Sequence, residues 1–195
     1  MKKYLLALVI VFTIPFSLLA QNSLQAKYGA VLPKGETLRN AFQPSTSIGI
    51  SFLHKVSNAT WYYGGSISHT ALTSKDDYFK DSYHTKVDLT NYLFSLRKDF
   101  SFKQAHIWYV GLDAGLNHHV QKTKKNTLET EVHHTGFTTG LVLGTDWTIS
   151  QKFSFATEAN YTRCYTGSIN YNDQFSSSSL KYYGLNLGLV YHFSN

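Results

Sequence analysis

Apolar and polar residues alternate with a period of two along most of the chain. Near the C-terminal end, Tyr183, Leu185, Leu187, Leu189, Tyr191 and Phe193 form one set, and Tyr182, Gly184, Asn186, Gly188, Val190 and His192 the other. Successive side chains of a strand point to opposite faces, so this run predicts a strand with two unlike faces. The alternation recurs upstream. Leu24, Ala26, Tyr28, Ala30 and Leu32 stand against Gln25, Lys27 and Gly29, and Ile48, Ile50 and Phe52 against Ser47, Gly49 and Ser51. Trp61, Tyr63 and Ile67 oppose Tyr62, Gly64, Ser66 and Ser68, while Tyr92, Phe94 and Leu96 oppose Asn91, Ser95 and Arg97, with Leu93 breaking the pattern. Trp108, Val110, Leu112, Ala114 and Leu116 alternate with Tyr109, Gly111, Asp113, Gly115 and Asn117. Two more runs are Phe137, Leu141, Leu143, Trp147 and Phe153, Phe155, Ala159, Tyr161. Together these predict eight strands.

The predicted connections alternate in length. Residues 33–44, 72–84, 119–131 and 166–178 are long and polar; 54–60, 99–105 and 149–152 are short. Such alternation sorts the loops onto two ends, with both termini at the short-turn end. An even-stranded outer-membrane barrel has this layout, with short periplasmic turns and longer external loops. The expected fold is all-β, an eight-stranded antiparallel up-and-down transmembrane β-barrel, closed by pairing its last strand with the first.

A lipocalin-like barrel also has eight strands, but its apolar face looks inward. Here the polar set is rich in Gly, Ser and Asn, which suits a narrow interior better than a wetted exterior. Trp61, Trp108 and Trp147 fall beside the short turns and, with Phe153, Tyr191 and Phe193, predict an interfacial aromatic girdle. The apolar set therefore faces lipid.

The first residues add an address. Met1-Lys2-Lys3, the apolar run Tyr4–Leu19 and then Ala20-Gln21 predict a signal peptide over residues 1–20, leaving 21–195 as the barrel domain. Removing it takes two of the 18 Lys+Arg, leaving 16 against 12 Asp+Glu. That mild excess is spread over loops and does not predict nucleic-acid binding. Cys164 is the single cysteine, which excludes an internal disulfide and a cysteine-based metal site.

On these strands, loops and girdle the chain resembles the small eight-stranded outer-membrane β-barrel family of Gram-negative bacteria, the OmpA-transmembrane-domain and OmpX-like porin-family proteins. Leu185, Leu187, Leu189, Tyr191 and Phe193 resemble the C-terminal insertion signal of such barrels. The resemblance implies the outer membrane, periplasmic termini, and contact with the barrel-insertion machinery, membrane lipids and lipopolysaccharide. It implies no cofactor and no catalytic motif.

The interior is the first candidate for chemistry. Lys27, Arg97, Asp113, Asp146, Glu158 and His192 fall on the inward set, in a lumen only wide enough for its own side chains. They are expected to form a paired polar plug, with Arg97, Asp146 and His192 near the periplasmic end and Asp113 facing Glu158 at mid-height. A narrow ion path is the competing reading.

Four of the nine histidines cluster as His118-His119 and His133-His134. A hairpin about Asn126 sets His118 opposite His134 and His119 opposite His133, about 5 Å apart and within reach of a shared Zn²⁺, Cu²⁺ or Ni²⁺. Lys122, Lys124 and Lys125 on the same loop would also suit anions. The segment His192-Phe193-Ser194-Asn195 resembles the His-x-Ser-Asn of outer-membrane lipid A deacylases, yet it lacks a third orienting group. Residues 74–83 mix charges with aromatics, as protein-recognition loops do. The expectation is a non-enzymatic structural or surface-interaction barrel, with an unidentified surface or membrane protein as possible partner; a narrow porin-like channel and a lipid-A-modifying enzyme are the alternatives.

Overall fold

The computed structural model describes residues 22–56, 59–75, 83–103, 106–125, 128–172 and 175–193. The predicted signal peptide and most of the 74–83 loop lie outside the described residues. Eight strands form a closed barrel: β1 (Asn22–Pro33), β2 (Ser45–Lys55), β3 (Trp61–Thr73), β4 (Tyr83–Lys103), β5 (His106–Lys125), β6 (Leu128–Thr148), β7 (Phe153–Asn172) and β8 (Phe175–His192). Each pairs antiparallel with its chain neighbours. β8 returns to β1, with Leu24 opposite Tyr191 and Leu32 opposite Tyr183, so no free edge runs through the wall.

The wall is inverted relative to a water-soluble barrel. Ile48, Leu141, Leu185 and Leu187 stand exposed on the outside, whereas Arg97, Asp146 and Glu158 are buried within. A continuous apolar exterior is what hydrocarbon requires, and closure satisfies every backbone group inside the wall. Among the described residues no helix is long and apolar enough to cross a membrane, which says nothing of crossing by strands.

Three expectations change. First, the predicted loops 119–131 and 166–178 are largely strand, as is 99–105, since β4 runs to Lys103 and β5 starts at His106. Above the lipid the outward positions need not be apolar, so the hydrophobic alternation fades while the ladder continues. Lys122 opposite Glu131 and Lys124 opposite Glu129 replace it with cross-strand charge pairs. The upper parts of β4, β5 and β6 thus form a three-stranded blade. β6 pairs with β7 only from Phe137 onward.

Second, the 33–44 connection contains a short helix, α1 (Glu36–Ala41), too brief to show a helical period. Gly35 leads into it at φ +96°, a backbone conformation that glycine adopts without steric cost. Phe42 bridges Ser74, and Lys75 N–H donates to the Ala41 carbonyl, tying the segment to the end of β3.

Third, the histidine hairpin is shifted by one residue. His119 pairs with His134, while His118 faces Thr135 and His133 faces Val120. Lys125 pairs with Leu128, one step off symmetry about Asn126, and one residue of register changes which faces meet.

Candidate functional site

The lumen is the candidate site, and it is filled in tiers. On the floor, Arg97 from β4 donates through Nε to Asp99 Oδ1 and through Nη2 to Asp146 Oδ2, both at 2.6 Å. Its guanidinium carbon lies 3.6 Å from the Tyr109 ring centroid and 5.3 Å from that of Tyr62. A planar, delocalised cation suits this place because it stacks on rings and serves two carboxylates in one plane. His192 stands beside that cluster, its Nε2 2.9 Å from Ser154 Oγ and its ring within electrostatic reach of Asp146, Arg97 and Asp99.

At mid-height Glu158 is the hub. Lys27 Nζ is 3.0 Å from Oε2, while Tyr109 O–H and Gln25 Nε2 donate to Oε1 at 2.8 and 3.1 Å. Tyr109 thereby joins the two lower tiers, one face on Arg97 and its hydroxyl on Glu158. Its ring occupies the space that a Cβ would take at Gly144, so glycine there makes room for the link. Asp113 lies opposite Ser95 and hydrogen bonds with it, within electrostatic reach of Lys27 and Glu158.

Above lies an uncharged layer. Asn91 donates to Tyr182 Oη at 3.1 Å and accepts from Thr138 at 3.1 Å, and Asn117 donates to Thr138 at 3.0 Å. The mouth is apolar: Leu38, Ala41 and Phe42 from the α1 segment bury against Val31, Leu72, Val87, Leu89, Leu180 and Tyr182. A polar plug thus lies below and an apolar lid above.

Of the predicted interior residues, Lys27, Arg97, Asp146 and Glu158 come together in ion pairs. Asp113 and His192 stand beside these pairs and hydrogen bond to Ser95 and Ser154. Gln25, Tyr62, Asp99 and Tyr109 were missing from the prediction. Tyr109 carried a visible signal, an aromatic in the otherwise small inward set facing Gly144; Asp99 was hidden in a presumed turn.

Trp61, Trp108, Trp147 and Phe153 are exposed on the outside near the short turns. Tyr191 packs on Phe153 at 5.2 Å between centroids and on Phe193 at 5.0 Å. Leu185, Leu187 and Leu189 continue that outward row.

The four histidines divide between the two faces of the blade. His119 and His134 stack inside, 4.8 Å apart at 13°, with His119 fully buried and neither of its ring nitrogens hydrogen bonded. His118 and His133 stack outside at 5.7 Å, and Glu131 takes His133 at 3.1 Å. Four ligands on one metal are thus ruled out, and among the described residues no three His, Cys, Asp or Glu side chains gather closely enough to hold one. Ser194 and Asn195 of the deacylase-like segment lie outside the described residues.

No protein-family model and no curated protein matches the chain. Solved structures do. The crystal structure of Neisserial surface protein A superposes with a TM-score of 0.60 at 14% identity, covering 89% of this chain and 97% of the other. The chain has the fold of the small outer-membrane barrels. OprG from Pseudomonas aeruginosa matches at TM-score 0.53 and 15% identity, with 90% and 97% covered. Ail, the attachment invasion locus protein of Yersinia pestis, matches at 0.51 and 15%, with 88% and 97% covered. At such identities this small-barrel likeness concerns architecture alone.

Proposed function

We propose that this protein is a non-enzymatic outer-membrane barrel that presents the β4–β5–β6 blade at the cell surface, with both termini in the periplasm. The filled lumen carries the reading: the charged plug and the apolar lid leave the molecule no path for solute. What remains available is its outside. The blade rises beyond the apolar band with exposed polar residues on it, and among the described residues the Leu128–Thr135 stretch of β6 has no β7 partner. An unpaired strand flank of this kind suits recognition of another protein or polymer by strand addition, while Glu129 and Glu131 guard it against indiscriminate pairing. The attachment role in the name of Ail is in keeping with a surface function. Phe193 and the outward leucines before it would serve the insertion machinery.

Two measurements test this together. In planar bilayers the purified protein should give no steady conductance; sustained single-channel currents would overturn the closed-lumen reading. Cysteine placed at Lys124 or Glu129 in a Cys164→Ser background should react with a membrane-impermeant maleimide on intact cells. Labelling only after the outer membrane is opened would reverse the orientation.

A further inference from the structure

Three cations stand side by side on the outward face of the wall, where β1, β8 and β7 meet. Lys34 N–H donates to the Lys181 carbonyl at 2.8 Å, continuing the β1–β8 ladder by one residue. Arg163 is the direct partner of Lys181 on β7. All three belong to the outward sets of their strands, above Leu32, Tyr183 and Tyr161. Like charges directly opposite on paired strands repel. Among the described residues, two other outward lysines have carboxylate partners, Lys86 with Asp88 at 3.0 Å and Lys122 with Glu131 at 3.5 Å, while Lys98 stands alone over the Trp61 and Phe100 rings. Among the described residues no carboxylate lies within ion-pair distance of Lys34, Lys181 or Arg163, and Arg163 Nε is buried without a hydrogen-bond partner.

Their height is informative. Each cation is ten residues from the lower aromatic level on its own strand: Lys34 from Leu24, Lys181 from Tyr191, Arg163 from Phe153. At ~3.3 Å per residue and a tilt near 40°, that is about 25 Å along the barrel axis, the height of the apolar band. The row therefore lies at the opposite headgroup level. Aromatic rings hold it there: Lys34 Nζ is 4.5 Å from the Tyr161 ring centroid and 4.8 Å from that of Tyr183, and Arg163 lies 4.5 Å from Tyr165. Below Leu32, Tyr161 and Tyr183, Ala30, Thr157 and Ala159 flank Leu185 and Leu187 in a groove of about 620 Å³ on the lipid-facing wall.

We propose that Lys34, Lys181 and Arg163 bind the phosphates of an outer-leaflet glycolipid whose acyl chains lie in this groove. Three cations spread over two inter-strand spacings, roughly 10 Å, match a headgroup bearing more than one phosphate. The groove, dipping at Ala30, Thr157 and Ala159 between Tyr28, Trp108, Leu143, Leu185 and Leu187, gives an acyl chain an apolar bed beneath the headgroup. This inference rests on the outer-membrane placement proposed above.

The test titrates the purified full barrel in non-ionic detergent with diphosphoryl lipid A, monophosphoryl lipid A and inorganic phosphate, reading bound lipid by native mass spectrometry. The expected result is a one-to-one complex with diphosphoryl lipid A, weaker binding of the monophosphoryl form and none of phosphate alone. Lys34→Gln, Lys181→Gln and Arg163→Gln combined should weaken binding by about tenfold or more, the equivalent of one charge-assisted contact. Heat-modifiable gel migration reports that the triple variant is folded. Lys122→Gln with Lys124→Gln should bind as wild type. Undiminished binding by the triple variant, loss confined to the Lys122/Lys124 variant, or equal binding of an uncharged lipid overturns the proposal. Cell fractionation judges the outer-membrane placement separately, since a barrel found elsewhere would fail there whatever its lipid affinity.

Discussion

Arg97 on β4 and Asp146 on β6 meet across the barrel floor, Nη2 2.6 Å from Oδ2, although β5 runs between their strands. Asp99 shares the same guanidinium at 2.6 Å, so one cation holds two buried carboxylates. Removing a charge from water costs several kcal/mol, and the Coulombic return compensates only where the geometry is good and every partner is present. The floor therefore depends asymmetrically on its three charges, with the arginine as the member both others need.

That asymmetry gives an ordering. Arg97→Met strands two carboxylates beside each other and should cost about 3–5 kcal/mol. Asp146→Asn keeps the Arg97–Asp99 pair and should cost distinctly less. Urea unfolding of the refolded barrel, read by tryptophan fluorescence and by gel migration, measures both. Equal losses for the two variants would contradict a shared cation.

Gly144 offers an independent check on the Tyr109 link. A methyl at this position meets the Tyr109 ring, so Gly144→Ala must push the ring away from Arg97 and Glu158. Overpacking of this kind costs about 1–3 kcal/mol. Combining Gly144→Ala with Tyr109→Ser should restore the space without restoring the hydroxyl contact at its present position. The double variant should accordingly lose less than the two single losses added, a coupling that a double-mutant cycle reads directly.

The barrel was legible because lipid imposes a period-two pattern on every crossing, and Leu185, Leu187 and Leu189 show it undisturbed. Lys27, Arg97, Asp146 and Glu158 were legible as interior charges for the same reason. Their partners were less so, since pairing across a lumen depends on stagger between strands that alternation does not encode. Asp113 and Glu158 do feel each other's charge at mid-height, but alternation gave no sign that they bond Ser95 and Lys27 respectively. The blade was hidden because strand and loop look alike where outward residues meet water. The α1 lid was hidden because six residues carry no period, and only Leu38, Ala41 and Phe42 hinted at burial.

The lid has a proteolytic signature. Leu38 and Phe42 anchor it, while Arg39 points outward as an exposed cleavage site. Leu38→Ser with Phe42→Ser should release the segment and raise the trypsin cleavage rate after Arg39 by about tenfold or more, corresponding to at least ~1.4 kcal/mol of lost docking free energy. The strands below should survive, because their ladders and the charged plug do not involve the lid. Loss of heat-modifiable migration in this variant would instead mean that the lid is needed for barrel closure.

The stacked histidines decide between a packing and a ligand role. His119 is buried against His134 with both ring nitrogens unpaired, and a buried polar group without a partner costs about 1–3 kcal/mol. If packing is the whole role, His119→Leu removes that cost while nearly keeping the volume. It should then leave stability unchanged or raise it by up to about 1 kcal/mol, whereas His119→Ala should lower stability by opening a cavity. If the ring instead holds a metal with His134, Zn²⁺ should raise the unfolding midpoint of wild type, and His119→Leu should abolish that increment. The stacked arrangement, with rings 4.8 Å apart at 13°, turns neither lone pair toward a common point in the way a shared ion needs. The expected outcome is a midpoint independent of Zn²⁺ and a His119→Leu barrel at least as stable as wild type; a saturable zinc-dependent rise lost on that substitution reverses the assignment.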